Sequence, residues 1–233
     1  MLLRVSRLSV FYDESRICNE VSLDVDRGES VCLLGRNGVG KTTLLKSIMR
    51  LLPNREGDVK FEGEDLGRLK PHEVARRGIG YVPQGRIIFP SLTVMENLRL
   101  AMSARRTKGK GIPEIVFHYF PLLKERLNQK GGTLSGGEQQ MLAIGRALAI
   151  DPLLVLLDEP SEGLSAIATQ ELVKALKRLV EESDMAVLMV EQNLEMALEM
   201  STRGYIMEKG RIVAEGTTSE LQNDEVVRSH LMV

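Results

Sequence analysis

Eight residues, Gly35-Arg36-Asn37-Gly38-Val39-Gly40-Lys41-Thr42, constrain this chain more than any other stretch. The apolar run Val31-Cys32-Leu33-Leu34 precedes them, and Leu44, Leu45, Ile48, Met49 and Leu52 follow at helical spacing. Strand, glycine-rich turn and helix in that order are the frame of a phosphate-binding loop. Glycine lets the backbone turn its N–H groups inward, where a Cβ would block a polyphosphate. Lys41 supplies a point charge for β- and γ-phosphates, and Thr42 can ligate Mg²⁺. The helix starting near Lys41 aims its positive end at the same anion. Gly35, Asn37, Gly38, Gly40, Lys41, Thr42 and Thr43 are therefore the candidate ligands of an ATP or GTP site.

At 233 residues the chain has room for one large α/β domain or a core with a subdomain. A formal net charge of -1 gives no global attraction to nucleic acid. Cys18 and Cys32 lack metal-ligand spacing and read as buried free thiols, which fits a reducing compartment. The start, Met1-Leu2-Leu3-Arg4, has neither the apolar core nor the cleavage site of a signal peptide. No stretch approaches the length needed to span a bilayer. Any membrane role is expected to come through a partner.

Residues 3–10 alternate imperfectly and Val21 to Val25 alternate cleanly, so both read as half-buried antiparallel strands. Tyr12, at the end of the first, either stacks on an adenine or simply packs. A short strand is expected around Val59 and Phe61, and a buried one from Ile79 to Val82, with Gln84 at its tip. From about residue 86 the pattern turns helical. Ser103 to Gly111, with Arg105, Arg106, Lys108 and Lys110, reads as a solvated loop. The composition shift predicts a helical subdomain over 86–149, set into a nucleotide-binding core of 1–85 and 150–233 within one domain.

Leu134-Ser135-Gly136-Gly137-Glu138-Gln139 opens the last helix of that insert. Ser135 and Glu138 have capping-box spacing, yet two glycines in a first turn weaken a helix and suit close approach to a phosphate. Leu153 to Leu157 is a continuous aliphatic run, typical of a central parallel strand buried on both faces. It delivers Asp158 and Glu159 to the carboxyl end of the sheet, where α/β folds bind ligands. Asp158 would hold Mg²⁺, and Glu159 would polarise an attacking water. An amphipathic helix over 167–182, a strand from Met185 to Val190 and a hairpin turning at Lys209-Gly210 complete the chain.

The phosphate loop, Leu134 to Gln139 and Leu153 to Glu159, in this order, make the chain resemble an ABC transporter ATP-binding subunit over essentially its whole length. The resemblance implies a P-loop α/β core with a mixed, mainly parallel sheet, an N-terminal antiparallel β subdomain and an inserted helical subdomain. It implies that ATP and Mg²⁺ are bound and ATP hydrolysed, with Glu159, Gln192 and Lys41 catalytic. Tyr12 looks like the adenine-stacking aromatic, and Thr42, Gln84 and Asp158 like the Mg²⁺ ligands, with Gln84 reporting to a membrane partner. Ser135, Gly136, Gly137 and Glu138 look like the turn that caps nucleotide on a second ATPase subunit, identical or paralogous, and Ser161-Glu162-Gly163-Leu164 like the loop facing that subunit.

Permease subunits are further implied partners, a solute-binding protein an indirect one, and nucleic acid is not. The expected place is the inner face of the cell membrane, on the cytoplasmic side. Tyr81 to Arg86, Ile88-Phe89-Pro90 and Val190-Glu191-Gln192-Asn193 resemble ATPases of branched-chain amino-acid and urea or amide importers. Gln84 and Ser161-Glu162-Gly163 lean toward the urea type. Gln192 stands where most relatives have His, and Ser165 where many have Asp. A non-transport ABC ATPase and a regulatory ATP-binding module with little turnover are the alternative readings.

Overall fold

The structure, a computed structural model, describes residues 1–53, 55–107, 109 and 111–223; Lys108 and Lys110 of the basic segment lie outside them. Leu3–Tyr12 (β1) pairs antiparallel with Ser15–Val25 (β2). Register shifts between Val5 and Leu8 and again between Leu8 and Val10 explain the imperfect alternation: each bulge resets which side chains face inward. Ser30–Leu34 (β3) runs into the glycine loop and Lys41–Ile48 (α1). Arg55–Phe61 (β4) and Glu64–Asp65 (β5) complete a four-stranded antiparallel sheet in the order β2-β1-β4-β5.

Pro71–Arg76 (α2) leads to Ile79–Val82 (β6). The helical insert follows as Val94–Ala101 (α3), Glu114–Tyr119 (α4), Pro121–Glu125 (α5) and Gly136–Leu148 (α6). Leu154–Asp158 (β7), Ala166–Glu182 (α7), Ala186–Glu191 (β8) and Leu194–Met200 (α8) alternate strand with helix. Arg203–Glu208 (β9) and Arg211–Thr217 (β10) form the expected hairpin, and Thr218–Asn223 (α9) follows. The sequence signal for that last helix lies at its start. Thr217 and Glu220 exchange bonds between hydroxyl, carboxylate and backbone N–H as a capping box.

The main sheet has the order β10-β9-β3-β8-β7-β6 and is parallel except at the hairpin. Its central strands are buried on both faces, and alternate residues feed two cores. Cys32, Leu34, Val155 and Leu157 pack with α6, α7 and the helical insert. Val31, Leu33, Leu154 and Leu156 pack with α1 and the antiparallel sheet. A fully buried Leu in such a strand contributes about 1.5–3 kcal/mol of apolar transfer. Because β3, β8 and β7 are parallel neighbours, the segments leaving their carboxyl ends emerge side by side. That juxtaposition makes the site.

Candidate functional site

The glycine loop is held from below by β9: a Cβ on Gly35 would lie 2.5 Å from the Met207 carbonyl oxygen. Gly40 caps α1 at φ 111 and offers no side-chain acceptor to its first N–H groups. A helix start left that way is an anion site. Asn37, Gly38 and Gly40 to Thr43 line a cavity of about 150 Å³ together with Ile17, Gln84 and Glu159. Lys41 is buried, and its Nζ donates to the Gly35 and Arg36 carbonyls at 2.6 and 3.0 Å. It also lies 3.3 Å from Glu159 Oε1.

β7 ends in Asp158, whose two oxygens accept from Thr42 Oγ1 at 2.8 Å and Tyr81 Oη at 3.0 Å. Burial pushes the Asp158 carboxyl above its ordinary value, outweighing those two donors. Burial and the Asp158 charge likewise raise the Tyr81 phenol, which keeps it a donor. Glu159 follows in the left-handed region, φ 47, and its N–H bonds the Val190 carbonyl at 2.9 Å. Its carboxylate is buried and surrounded by donors. Lys41 faces Oε1, while Gln192 Nε2 at 2.8 Å and Gln84 Nε2 at 3.3 Å donate to Oε2. The expected catalytic and metal-ligating residues thus converge: Lys41, Thr42, Gln84, Asp158, Glu159 and Gln192 share one corner.

Ser135 and Glu138 form the expected capping box on α6, with Ser135 N donating to Glu138 Oε2 at 2.7 Å and Glu138 N to Ser135 Oγ at 3.3 Å. Ser135 to Glu138 do not line the glycine-loop cavity. The two glycines also answer a packing need inside the chain. A Cβ on Gly137 would lie 2.8 Å from that of Ala168, and one on Gly136 would lie 3.0 Å from Arg86 Nη1. Tyr12 is exposed at the end of β1 and is likewise absent from that cavity's lining. Ser165 has a structural duty of its own, capping α7 by accepting from Ala168 N. Ser and Asp are both strong caps, so the helix start tolerates the exchange.

Three contributors escaped the sequence. Ile17 of β2 lines the cavity, Tyr81 holds Asp158, and Glu191 bridges the segments after β7 and β8. The first two act through tertiary contacts that no local pattern announces. A Glu closing the aliphatic strand Ala186 to Val190 was the one available hint of the third. Cys18 and Cys32 are buried, Cys18 Sγ donating to the Gly40 carbonyl at 3.6 Å.

The ABC transporter family pattern matches residues 18–162. The chain is 41% identical over 228 residues to the high-affinity branched-chain amino acid transport ATP-binding protein BraG of Pseudomonas aeruginosa, covering 97% of each. It is 34% identical over 232 residues to the lipopolysaccharide export system ATP-binding protein LptB of Escherichia coli, covering 97% of this chain and 95% of LptB. Among solved structures it superposes with a TM-score of 0.82 and 27% identity on the dimeric post-hydrolysis state of the ATP-binding cassette MJ0796 bound to ADP and Pi, over 93% of this chain and 99% of that one. With the glycine loop, the paired acids and the donors around them in place, the chain belongs to the ABC transporter family as an ATP-binding subunit that hydrolyses ATP in coupling to transport.

Proposed function

We propose that this chain drives an importer of a small polar solute, working with a second ATPase subunit beneath permease subunits on the inner face of the membrane. The observation that carries the chemistry is the convergence of Lys41, Gln84 and Gln192 on the Glu159 carboxylate beside the glycine-loop cavity. Glu159 acts as general base. It takes a proton from water as that oxygen bonds the γ-phosphorus of ATP and the bond to the bridging β–γ oxygen breaks, giving ADP and phosphate. Lys41 counters charge on the β- and γ-phosphates. Gln192 orients the Glu159 carboxylate and donates a hydrogen bond toward the reacting phosphate, without becoming cationic.

Thr42, Asp158 and Gln84 are the Mg²⁺ ligands in this reading. Among the described residues no three His, Cys, Asp or Glu side chains gather as a self-sufficient metal cluster. A hydroxyl beside a buried carboxylate suits a hard cation that takes its remaining ligands from phosphate and water. When bound, the cation supplies neutralisation of phosphate charge.

Ser135, Gly136, Gly137 and Glu138 act on the nucleotide of a second subunit, identical or paralogous. Their absence from this chain's own loop cavity supports that assignment, as does the dimeric, ADP- and Pi-bound MJ0796 cassette. ATP then favours the closed dimer because only that state makes both sets of contacts, and hydrolysis removes the difference. Tyr12 is assigned to the adenine, and its exposure leaves the ring free to stack.

Among the described residues no helix is long and apolar enough to cross a membrane, and we assign docking on the permease to a surface. An apolar groove of about 540 Å³ carries the exposed side chains of Leu51, Ile87 and Leu100. From Gln84 into this groove the backbone runs through three consecutive positive φ values, at Gly85, Arg86 and Ile87, the last two lining it. Ile87 at φ 41 is strained, as a β-branched residue in that region is. We assign this groove to a permease helix and the strained turn to its connection with Gln84. The helical subdomain, 86–149, swings relative to the core formed by 1–85 and 150–233.

The cargo we favour is a branched-chain amino acid, on the likeness to BraG. Urea or a short amide is the alternative carried by Gln84 and Ser161-Glu162-Gly163. Phosphate release by the chain purified with its co-expressed membrane subunits tests the assignment. Turnover stimulated by those subunits and by the amino-acid-loaded binding protein is expected; equal turnover with and without them contradicts it.

A further inference from the structure

We propose that Glu191 is a positioning residue for ATP hydrolysis, tying the loop from Ser161 to Leu164 and the Gln192 turn into one body around Glu159. The proposal rests on the reading of Glu159 as general base. Glu191 is the last residue of β8 and lies in parallel register beside Leu34, the residue before the glycine loop. It is 2% exposed. A carboxylate so buried is costly unless donors surround it. Its Oε1 accepts from Ser161 N at 3.0 Å and Ser161 Oγ at 2.7 Å. Its Oε2 accepts from Gln192 N at 3.1 Å and Asn193 N at 3.4 Å.

One carboxylate thus satisfies backbone N–H groups on two separate loops, which no aliphatic side chain at the end of this strand could do. A ring closes as a result. Glu159 leads through the backbone to Ser161, Ser161 bonds Glu191, Glu191 leads to Gln192, and Gln192 Nε2 returns to Glu159 Oε2 at 2.8 Å. Ser161 opens the loop assigned to the second subunit, and Leu164 N returns to its carbonyl at 3.2 Å. A shift of that loop when subunits close must therefore pull on Glu191, and through it on the amide that orients Glu159. Glu191 itself touches no substrate; it acts through Gln192 and Ser161.

Steady-state phosphate release by the complete transporter, purified with its co-expressed membrane subunits, tests this. Glu191→Gln keeps the volume but turns an amide N–H₂ toward donors of one loop. It should lower kcat about 10- to 100-fold, the usual cost of a misplaced catalytic group. KM for ATP should move by less than about threefold, because ground-state contacts are spared. Combining it with Gln192→Ala should slow turnover no further than the slower single variant, since both break one ring. An unchanged kcat, an equal loss in kcat and ATP affinity, or multiplicative effects in the double variant would each overturn the proposal. Should Glu191→Gln fail to melt cooperatively, Ser161→Ala decides. The same split between kcat and KM supports the proposal, and parental kinetics overturn it. A parallel Glu159→Gln sample separates the two readings: parental turnover there sinks the general base, whereas an inactive Glu159→Gln beside a parental Glu191→Gln sinks only the positioning role.

Discussion

Gln192 Nε2 donates to Glu159 Oε2 at 2.8 Å, the shorter of the two amide bonds that this oxygen accepts. A neutral amide here can orient the carboxylate without neutralising it, which suits the proposed role of Glu159 as general base. Removing the bond by Gln192→Ala should lower kcat by about 10- to 100-fold. Gln192→His should add an ionisation near pH ~6.5, the ordinary range of imidazole, that the parent profile lacks. Superimposable kcat–pH profiles for parent and Gln192→His would remove residue 192 from the reacting centre.

Glu159→Gln should slow hydrolysis by ~10²–10⁴ while leaving ATP affinity close to parental. Its buried side chain keeps its shape, and Lys41 retains the Gly35 and Arg36 carbonyls as partners. Single-turnover phosphate release and equilibrium nucleotide titration measure the two separately. Parental hydrolysis in this variant contradicts the base assignment.

The proposed Mg²⁺ role of Asp158 comes with a cost in stability that pH should reveal. Burial holds its carboxyl above the ordinary value. Between the unfolded value of ~3.9 and the raised folded one, the native chain therefore binds the proton more tightly. Nucleotide-free protein gains stability from this group as pH falls through that window and loses it as pH rises. Asp158→Asn should accordingly melt higher than the parent at pH 7, with the difference shrinking toward pH 4, while Mg²⁺-dependent turnover collapses. Thermal melts across pH check the sign; a lower melting point at pH 7 contradicts it.

The two thiols should be inert in the folded protein. Burial pushes Cys18 up to about 12 and Cys32 up to about 11, so little thiolate exists at pH 8. Iodoacetamide followed by intact-mass measurement should find both unmodified in native protein and both alkylated in denaturant. Rapid native labelling of Cys18 would mean that β2 opens away from the glycine loop.

Much of this site was readable before any fold was known, because strong local patterns placed it. The aliphatic run Leu153 to Leu157 reads as a buried strand, and the structure forms it over Leu154–Asp158, with Leu153 just outside and Glu159 following at its carboxyl end. The glycine loop likewise announced itself between strand and helix. Other features needed the third dimension. Tyr81 reaches Asp158 from a neighbouring strand 77 residues away, and Ser161 meets Glu191 across 30 residues. The bulges in β1 blurred its alternation, since each one moves the inward face by a residue. Gly136 and Gly137 carried two messages at once: the sequence pointed them toward a phosphate, and the fold adds their close approach to Arg86 and Ala168.

In the proposed cycle a triphosphate is shared between two protein faces. The most direct measurement is a structure of Glu159→Gln with ATP and Mg²⁺, together with the subunit it pairs with. The prediction is that the ligand lies on Lys41 and Thr42 of one chain while the Ser135-to-Gly137 turn of the other closes over the γ-phosphate. A ligand held by one polypeptide alone, with that turn facing solvent in every assembly, would contradict the account.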